Sequence, residues 1–202
     1  MEIADKLAIA AELIHAWGVY RDQGKWKELR ATFTSEGHIS VSWFRGPFEQ
    51  FVHCCRAGFG ASRAWSRHHL LTLMITLDKD RAIAETPFII RVRQRFGSVE
   101  VDLTSSSRFL DRVERHADSW LIAERAAIYE RDRPDPVEPS PEFDALFEAA
   151  GNTVTWPSAS HMRKAARSRP SSIATAGQKR RTFMRATQSG WPAGRLEPAG
   201  DF

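Results

Sequence analysis

The sequence predicts an α+β fold in which N-terminal helices lie in the concavity of a curved antiparallel sheet. Two observations carry this prediction. Apolar residues recur at helical spacing near the start of the chain, whereas long segments of alternating apolar and polar residues occupy positions 67–130. Helices gathered at one end of a chain and followed by strands with short turns are typical of α+β domains. A long, twisted sheet of this kind curls around its helices and leaves a pocket between them.

Three helices are predicted before residue 60. The first is predicted by apolar residues that recur at the spacing of one helix face, namely Leu7, Ala10, Leu13, Ile14 and Trp17. Gly24 interrupts this pattern. A second, shorter helix is predicted by apolar residues at i, i+3 and i+7, namely Trp26, Leu29 and Phe33. Pro47 suits the first position of a helix, so the third helix is predicted to begin there. It is predicted to run through Phe48, Phe51, Val52 and Cys55 and to end at Gly58 and Gly60.

Alternation of apolar and polar residues predicts one short strand and four long ones. The short strand lies between the second and third helices, at residues 38–43. The long strands are predicted at residues 67–77, 82–96, 98–113 and 119–130, with turns at 78–80 and 115–118. Because the connecting turns are short, neighbouring long strands are expected to run antiparallel.

Domain boundaries follow from a change in composition after the last strand. Residues 1–132 carry the periodic segments and are predicted to form one domain. Residues 133–151 are rich in proline and are predicted to form a surface strap with a short helical turn near Phe143. Residues 152–202 show no sustained periodicity, and we expect this basic tail to be disordered because it cannot bury enough apolar surface.

The charge of the chain is unevenly distributed. The net charge is +4 and the pI is about 9.4, yet residues 160–202 hold nine Lys or Arg against two acidic residues. The remainder holds 20 basic and 23 acidic residues and carries a net charge of −3. A mildly acidic domain argues against a nucleic-acid interface on the folded part. Nucleic-acid binding by the basic tail stays a separate hypothesis, although lone basic tails more often only solvate a chain.

Composition disfavours several other classes of protein. The apolar content is 42%, as in globular proteins, and the longest apolar runs fall short of the roughly 18–20 residues of a membrane span. The charged N-terminus does not resemble a secretory signal, and the adjacent Cys54 and Cys55 suit neither a disulfide nor a metal site. We therefore expect a cytoplasmic protein that makes no membrane contact. The sequence has no phosphate-binding glycine loop, metal-ligand cluster or nucleophile elbow, so we expect no cofactor and no bound metal.

Two positions in the predicted domain could carry acid–base chemistry. Asp22 lies in the joint between the first two helices, where a carboxylate either caps the turn or points into the cavity to orient a base. His68 and His69 begin the first long strand, and only one of them can face the cavity because neighbouring strand residues point opposite ways. Both faces of this strand are apolar, so periodicity does not choose between the two. Either histidine could instead be a hydrogen-bonded structural residue.

A set of spaced motifs runs through the predicted domain. They are, in chain order, Tyr20-x-Asp22-x-Gly24-x-Trp26-x-x-Leu29-x-x-x-Phe33, His68, Asp80-x-Ala82 and Trp120-x-Ile122-x-x-Arg125. In this order, over residues 5–132, the motifs resemble the SnoaL-like families of the nuclear-transport-factor-two-like superfamily. The position of Asp80 and Ala82 matches His68, and not His69, to the histidine of those families.

The resemblance implies a cone-shaped α+β barrel with a deep apolar pocket, assembled as a homodimer or homotrimer. Family members with chemistry (scytalone dehydratase, lindane dehydrochlorinase and bile-acid dehydratase) pair an aspartate with a histidine at the positions of Asp22 and His68. In such a pair the carboxylate fixes the imidazole tautomer, and the second ring nitrogen removes a proton from carbon. Arg125 matches an arginine on the last strand, where it would hold an anionic or departing group or form a salt bridge across the barrel mouth.

The leading functional hypothesis is a cofactor-independent lyase or isomerase of the dehydratase or elimination type. It would act on a small apolar or aromatic molecule, with Asp22 and His68 as the base. Tyr20 would polarise a carbonyl or simply pack, and Trp17 and His69 are further candidates for contact with the substrate. The alternative is a non-catalytic protein of the same fold, either a ligand-binding protein or a structural subunit such as the β subunit of ring-hydroxylating dioxygenases.

Overall fold

The computed structural model describes residues 2–59, 65–96 and 98–149. Its helical elements are α1 (Glu2–Leu7), a π-helical segment (Ala8–His15), α2 (Ala16–Gln23), α3 (Trp26–Arg30), α4 (Phe48–Gly58) and α5 (Pro141–Ala149). Its strands are β1 (Phe33–Val41), β2 (Phe44–Pro47), β3 (Trp65–Leu70), β4 (Met74–Asp78), β5 (Arg81–Phe96), β6 (Val99–His116) and β7 (Ser119–Pro136). This order of helices and strands confirms the predicted α+β class.

The strands form one curved sheet that does not close on itself. Their order is β2-β1-β7-β6-β5-β3, and β4 also pairs with β5. The pairs are antiparallel except that β1 and β7 run parallel, which differs from the wholly antiparallel sheet predicted from the sequence. Most of the domain separates β1 from β7 along the chain, so no short turn imposes an antiparallel pairing on them.

The start of the N-terminal helical run buries a different face from the predicted one. The middle of this run is π-helical, with hydrogen bonds from i to i+5 in place of i to i+4. The wider turn brings Ile9 into the core, where it is completely buried, and leaves Leu7 exposed to solvent. Leu13, Ile14 and Trp17 are buried as the sequence predicts.

The predicted strand at residues 67–77 is split into β3 and β4, both of which pair with β5. Pro87 of β5 lies opposite the break, and its carbonyl accepts a hydrogen bond of 2.9 Å from the N–H of Leu71. The N–H and the C=O of one residue point toward the same neighbouring strand in an antiparallel ladder. Pro87 therefore lacks its donor on the side of β5 that faces β3 and β4. The ladder is therefore interrupted at Pro87.

Strand β7 continues to Pro136, past the point where the sequence predicts a surface strap. The pairing of β7 with β1 ends at Ala126, so among the described strands the later part of β7 pairs with β6 alone. Proline is tolerated on an edge strand because the missing N–H can face away from the ladder. Pro134 and Pro136 accordingly lie within the sheet.

The described chain ends with α5, at the place where the sequence predicts a short helical turn. Phe143 of this helix packs against Val99 and Val101 at the start of β6. The predicted tail, residues 152–202, lies outside the described residues.

The main core lies between the N-terminal helices and one face of the sheet. Trp17 of α2 packs edge-on against Phe109 of β6, with 5.4 Å between the ring centroids. Phe109 stacks in turn on Phe88 of β5 at 4.0 Å. Leu29 of α3 and Phe48 of α4 belong to the same buried cluster. The N-terminal end of α2 therefore lies over an aromatic wall in the middle of the sheet.

Gly24 ends α2 two residues after Asp22, and its φ of +69° lies in the left-handed region. A Cβ atom there would lie 2.9 Å from the ring of Phe59. Gly24→Ala is therefore expected to lower the free energy of unfolding, measured by urea denaturation, by about 1–2 kcal/mol. Gly58→Ala at the end of α4 is the matched control, because a Cβ atom there meets nothing within 4 Å. Equal losses in the two variants would contradict a conformational role for Gly24.

Candidate active site

Asp22 lies in the last turn of α2 and is almost completely buried, with 8% of its side chain exposed. The helix ends at Gly24, whose left-handed conformation turns the chain toward α3. Both carboxylate oxygens of Asp22 form hydrogen bonds to His68 of β3. The carboxylate therefore points toward the sheet and does not cap the turn.

His68 lies on β3, opposite Ile90 of β5. Its side chain is 9% exposed, and its ring centroid lies 5.5 Å from that of Trp17 and 6.2 Å from that of Phe88. His69 follows on the other face of the strand and is exposed. The structure therefore brings His68 to Asp22 and does not bring His69 there.

Asp22 and His68 are in direct contact. Oδ1 of Asp22 lies 2.7 Å from Nδ1 of His68, and Oδ2 accepts the backbone N–H of His68 at 2.6 Å. Because an ionised carboxylate can only accept, the proton of the neutral imidazole resides on Nδ1. Nε2 has no hydrogen-bond partner within residues 2–59, 65–96 and 98–149 and presents its lone pair. The arrangement can accept a proton at Nε2.

Burial lowers the pKa of His68 below its ordinary value of 6.5, because desolvation disfavours the charged ring. The hydrogen bond and the charge of Asp22 act in the opposite direction, whereas the charges of Arg21 and Arg125 lower the pKa further. The net shift is downward. The imidazole is therefore neutral at physiological pH, which is the state in which Nε2 can take a proton.

Arg125 lies completely buried against two aromatic rings. Its Cζ atom is 4.3 Å from the ring centroid of Trp17 and 4.2 Å from that of Phe109. Nε and Nη2 donate hydrogen bonds of 2.7 and 2.8 Å to the two carboxylate oxygens of Asp111, which lies directly opposite on β6. Arg125 thus forms an ion pair, but this pair lies in the core with both side chains fully buried, and not across an open mouth.

Trp17, Arg125 and Phe109 form a stack in which two buried donors have no hydrogen-bond partner in the described part of the chain. These donors are Nε1 of Trp17 and Nη1 of Arg125. Buried polar groups of native proteins are nearly always paired with protein, water or ligand. Water or an acceptor atom of a ligand at this place would satisfy the two donors.

Tyr20 lies at a different part of the surface. It lines a cleft of about 350 Å³ together with Leu13 and Trp120. Neither Asp22 nor His68 lines this cleft. The structure therefore places Tyr20 apart from the other candidate residues, next to the turn between β6 and β7.

Asp111 completes the buried site but is not among the residues singled out from the sequence. It alternates with Phe109 and Val113 along β6, so a charged residue stands on the apolar face of a strand. This alternation is a usable signal, because a buried charge requires a partner. The partner is not readable from the sequence, since the pairing with Arg125 depends on the register of two strands.

The described residues lack the side-chain groups of a metal site and the long apolar helix of a membrane span. They contain no group of three or more His, Cys, Asp or Glu side chains placed to hold a metal ion. None of the helices within these ranges is long and apolar enough to cross a membrane.

The two adjacent cysteines differ in exposure, since Cys54 is exposed and Cys55 is buried. Burial raises the pKa of the Cys55 thiol to about 11, so this group stays protonated.

The chain is similar to known proteins over the part that forms this fold. The sequence profile of the SnoaL-like domain matches residues 1–126. Pea pathogenicity protein 2 of Fusarium vanettenii is 27% identical over 137 residues, which is 66% of this chain. The chain spans 59% of the length of that relative.

Solved structures of other proteins share the fold. A candidate scytalone dehydratase from Novosphingobium aromaticivorans aligns with a TM-score of 0.58 and 15% identity, over 69% of this chain and 93% of its own. A hexachlorocyclohexane dehydrochlorinase aligns with a TM-score of 0.59 and 12% identity, over 69% and 96% of the two chains. These neighbours share the fold of this chain. Because the profile match covers more than half of its length, the chain belongs to the SnoaL-like domain family.

Proposed function

We propose that this protein is a cofactor-independent lyase or isomerase in which His68, held by Asp22, removes a proton from a carbon atom of its substrate. The observation that carries the proposal is the buried contact of 2.7 Å between Oδ1 of Asp22 and Nδ1 of His68. This contact leaves Nε2 as the proton acceptor. The names of two structural neighbours, a dehydratase and a dehydrochlorinase, describe eliminations and support the same class of reaction.

In the proposed elimination, Nε2 of His68 takes a proton from carbon and the electron pair of the C–H bond forms a new C=C bond. The leaving group on the neighbouring carbon departs with its bonding pair. The carboxylate of Asp22 stabilises the imidazolium that is formed. The proton then passes to the leaving group or to solvent, which restores the neutral imidazole. In an isomerisation, the same proton returns to a different carbon atom.

The surroundings of the base favour a small apolar or aromatic substrate. Trp17 and Phe88 flank the imidazole of His68, and Phe109 lies behind them. Rings of this kind bind apolar groups and exclude water. In such a low-dielectric environment the charge of Asp22 acts more strongly on the imidazolium than it would in water.

The aldol adduct of benzaldehyde and acetone provides a test, because it loses water to give the conjugated ketone benzylideneacetone. The wild-type protein is expected to accelerate this elimination, which is monitored by ultraviolet absorbance. It is also expected to accelerate the exchange of the protons beside the carbonyl, which is monitored by NMR in heavy water. His68→Gln is expected to abolish both reactions, whereas His53→Gln, on an exposed part of α4, is expected to retain them. Loss of both reactions in His69→Gln, and not in His68→Gln, would show that His68 is not the base. Absence of both reactions with this and related β-hydroxyketones would favour the ligand-binding alternative.

The activity is expected to fall at acidic pH with a midpoint below 6.5. The base must be neutral, and the pKa of His68 is lowered from 6.5 by burial. The free energy of unfolding is likewise expected to fall at acidic pH. The unfolded imidazole takes up a proton near pH 6.5 and the folded one does not, so the stabilisation from this group is complete above that pH and is lost as the pH falls toward the lowered value. The pH profile of kcat/KM measures the midpoint, and a value above 6.5 would contradict a buried, neutral base.

A further inference from the structure

The ion pair of Arg125 and Asp111 leaves one part of the guanidinium unused. Nε and Nη2 of Arg125 are taken by the two oxygens of Asp111, whereas Nη1 has no partner among the described residues. Arg125 is completely buried, so water at the protein surface cannot satisfy this N–H group. A buried donor without an acceptor is unfavourable, and a bound acceptor would remove this cost.

A second donor lies in the same stack. The guanidinium of Arg125 lies over the indole of Trp17, and Nε1 of this indole is likewise buried without a partner in the described chain. Trp17 also meets the ring of His68 edge-on. The indole of Trp17 therefore contacts both the guanidinium of Arg125 and the imidazole of His68.

Asp111 determines what kind of acceptor these donors prefer. Burial raises the pKa of Asp111 above its ordinary value, whereas the charge and hydrogen bonds of Arg125 lower it. Both oxygens of Asp111 accept hydrogen bonds from Arg125, and a guanidinium keeps its proton in proteins, so the bidentate contact joins two ionised groups. Among the described residues, the charged side chains with no exposure are those of Arg125 and Asp111, and their charges cancel. The almost buried Asp22 adds a negative charge, whereas Arg21 and Arg67, the nearby cations, reach solvent and are screened.

We propose that Arg125 and Trp17 form a two-donor site for an uncharged acceptor group of the substrate, such as a carbonyl oxygen, and that Asp111 excludes carboxylates from this site by cancelling the charge of Arg125. Asp111 is thus a positioning residue that sets specificity. The assignment differs from a role for Arg125 as the counter-ion of an anionic substrate. It rests on the proposed function only in that the ligand occupies the interior beside His68.

Three probes of nearly the same shape test the proposal through binding alone. Acetophenone carries a neutral acceptor, benzoate carries a charge, and α-methylstyrene has no acceptor oxygen. Dissociation constants are measured by ligand-observed NMR titration at neutral pH. The wild-type protein is expected to bind acetophenone at least about tenfold more tightly than either of the others, because an anion would be placed beside Asp111 and Asp22. Equal or tighter binding of benzoate, or binding of none of the three, would overturn the proposal.

Asp111→Asn is expected to shift the ratio of the two dissociation constants toward benzoate by about tenfold or more, because Arg125 is then a bare cation. Asp102→Asn is the matched control, since Asp102 also forms a bidentate cross-strand pair, with Arg93, but on an exposed part of the sheet. Its ratio is expected to equal that of the wild-type protein. An unchanged ratio in folded Asp111→Asn would overturn the proposal.

If Asp111→Asn does not fold, the same dissociation constants are measured for the double variant Asp111→Leu with Arg125→Met. This variant removes the charge and the donors together. It is expected to lose the preference for acetophenone over α-methylstyrene. A preference that persists would show that Arg125 is not the donor. These measurements need no turnover. A protein that shows the binding preferences but does not catalyse elimination would contradict the proposed function alone, and an active protein without them would contradict this inference alone.

Discussion

Asp111→Ala is expected to lower the free energy of unfolding by about 3–5 kcal/mol, because it leaves the guanidinium of Arg125 buried without a counter-charge. Arg125 has no access to solvent, and the rings of Trp17 and Phe109 lie against its guanidinium. The side chain cannot reach water without opening this stack. Urea denaturation of the variant and of the wild-type protein, followed by circular dichroism, measures the difference.

Asp102→Ala is the control for the loss of a bidentate pair as such. Its partner Arg93 keeps 43% of its side chain exposed and can be hydrated when the carboxylate is removed. The expected loss is at most about 1 kcal/mol. The double variant Asp111→Leu with Arg125→Met should recover most of the loss, because a buried ion pair is often replaceable by apolar residues of similar volume. Equal losses in Asp111→Ala and Asp102→Ala would show that burial of the charge is not the cause.

The helices and long strands were predictable because their periodicity records which side chains face the core. Phe88 and Val92 of β5 are buried, and Arg91 between them is exposed, as the alternation predicts. The boundaries depended on interactions that periodicity does not record. The break between β3 and β4 follows from Pro87 on a neighbouring strand, and the exposure of Leu7 follows from a π-helical turn.

The candidate site was predictable only in part. The contact of Asp22 with His68 joins residues 46 positions apart, and only the resemblance to SnoaL-like families suggested it. The sequence pattern alone left His68 and His69 equivalent because both faces of their strand are apolar. Asp111 was missed because a buried acidic residue is recognisable as a partner of Arg125 only when the register of β6 and β7 is known.

Asp22→Asn and His68→Ala are each expected to lower kcat/KM for the true substrate by about 10²–10⁴-fold, the usual contribution of a general base. His68→Ala removes the proton acceptor. Asp22→Asn keeps the shape and still accepts the backbone N–H of His68, but it removes the charge that stabilises the imidazolium and that holds the proton on Nδ1. Melting curves check that both variants stay folded, and Asp102→Asn is expected to keep full activity.

The two losses should not add, because Asp22 acts through His68 and has nothing left to orient when the imidazole is absent. The double variant is therefore expected to be no less active than His68→Ala. Asp22→Asn should also move the acidic midpoint of its remaining activity to lower pH, because the hydrogen bond and charge of Asp22 raise the pKa of His68 against the effect of burial. A carboxylate that only supported the fold would leave this midpoint in place, and additive losses would assign Asp22 a role independent of the base.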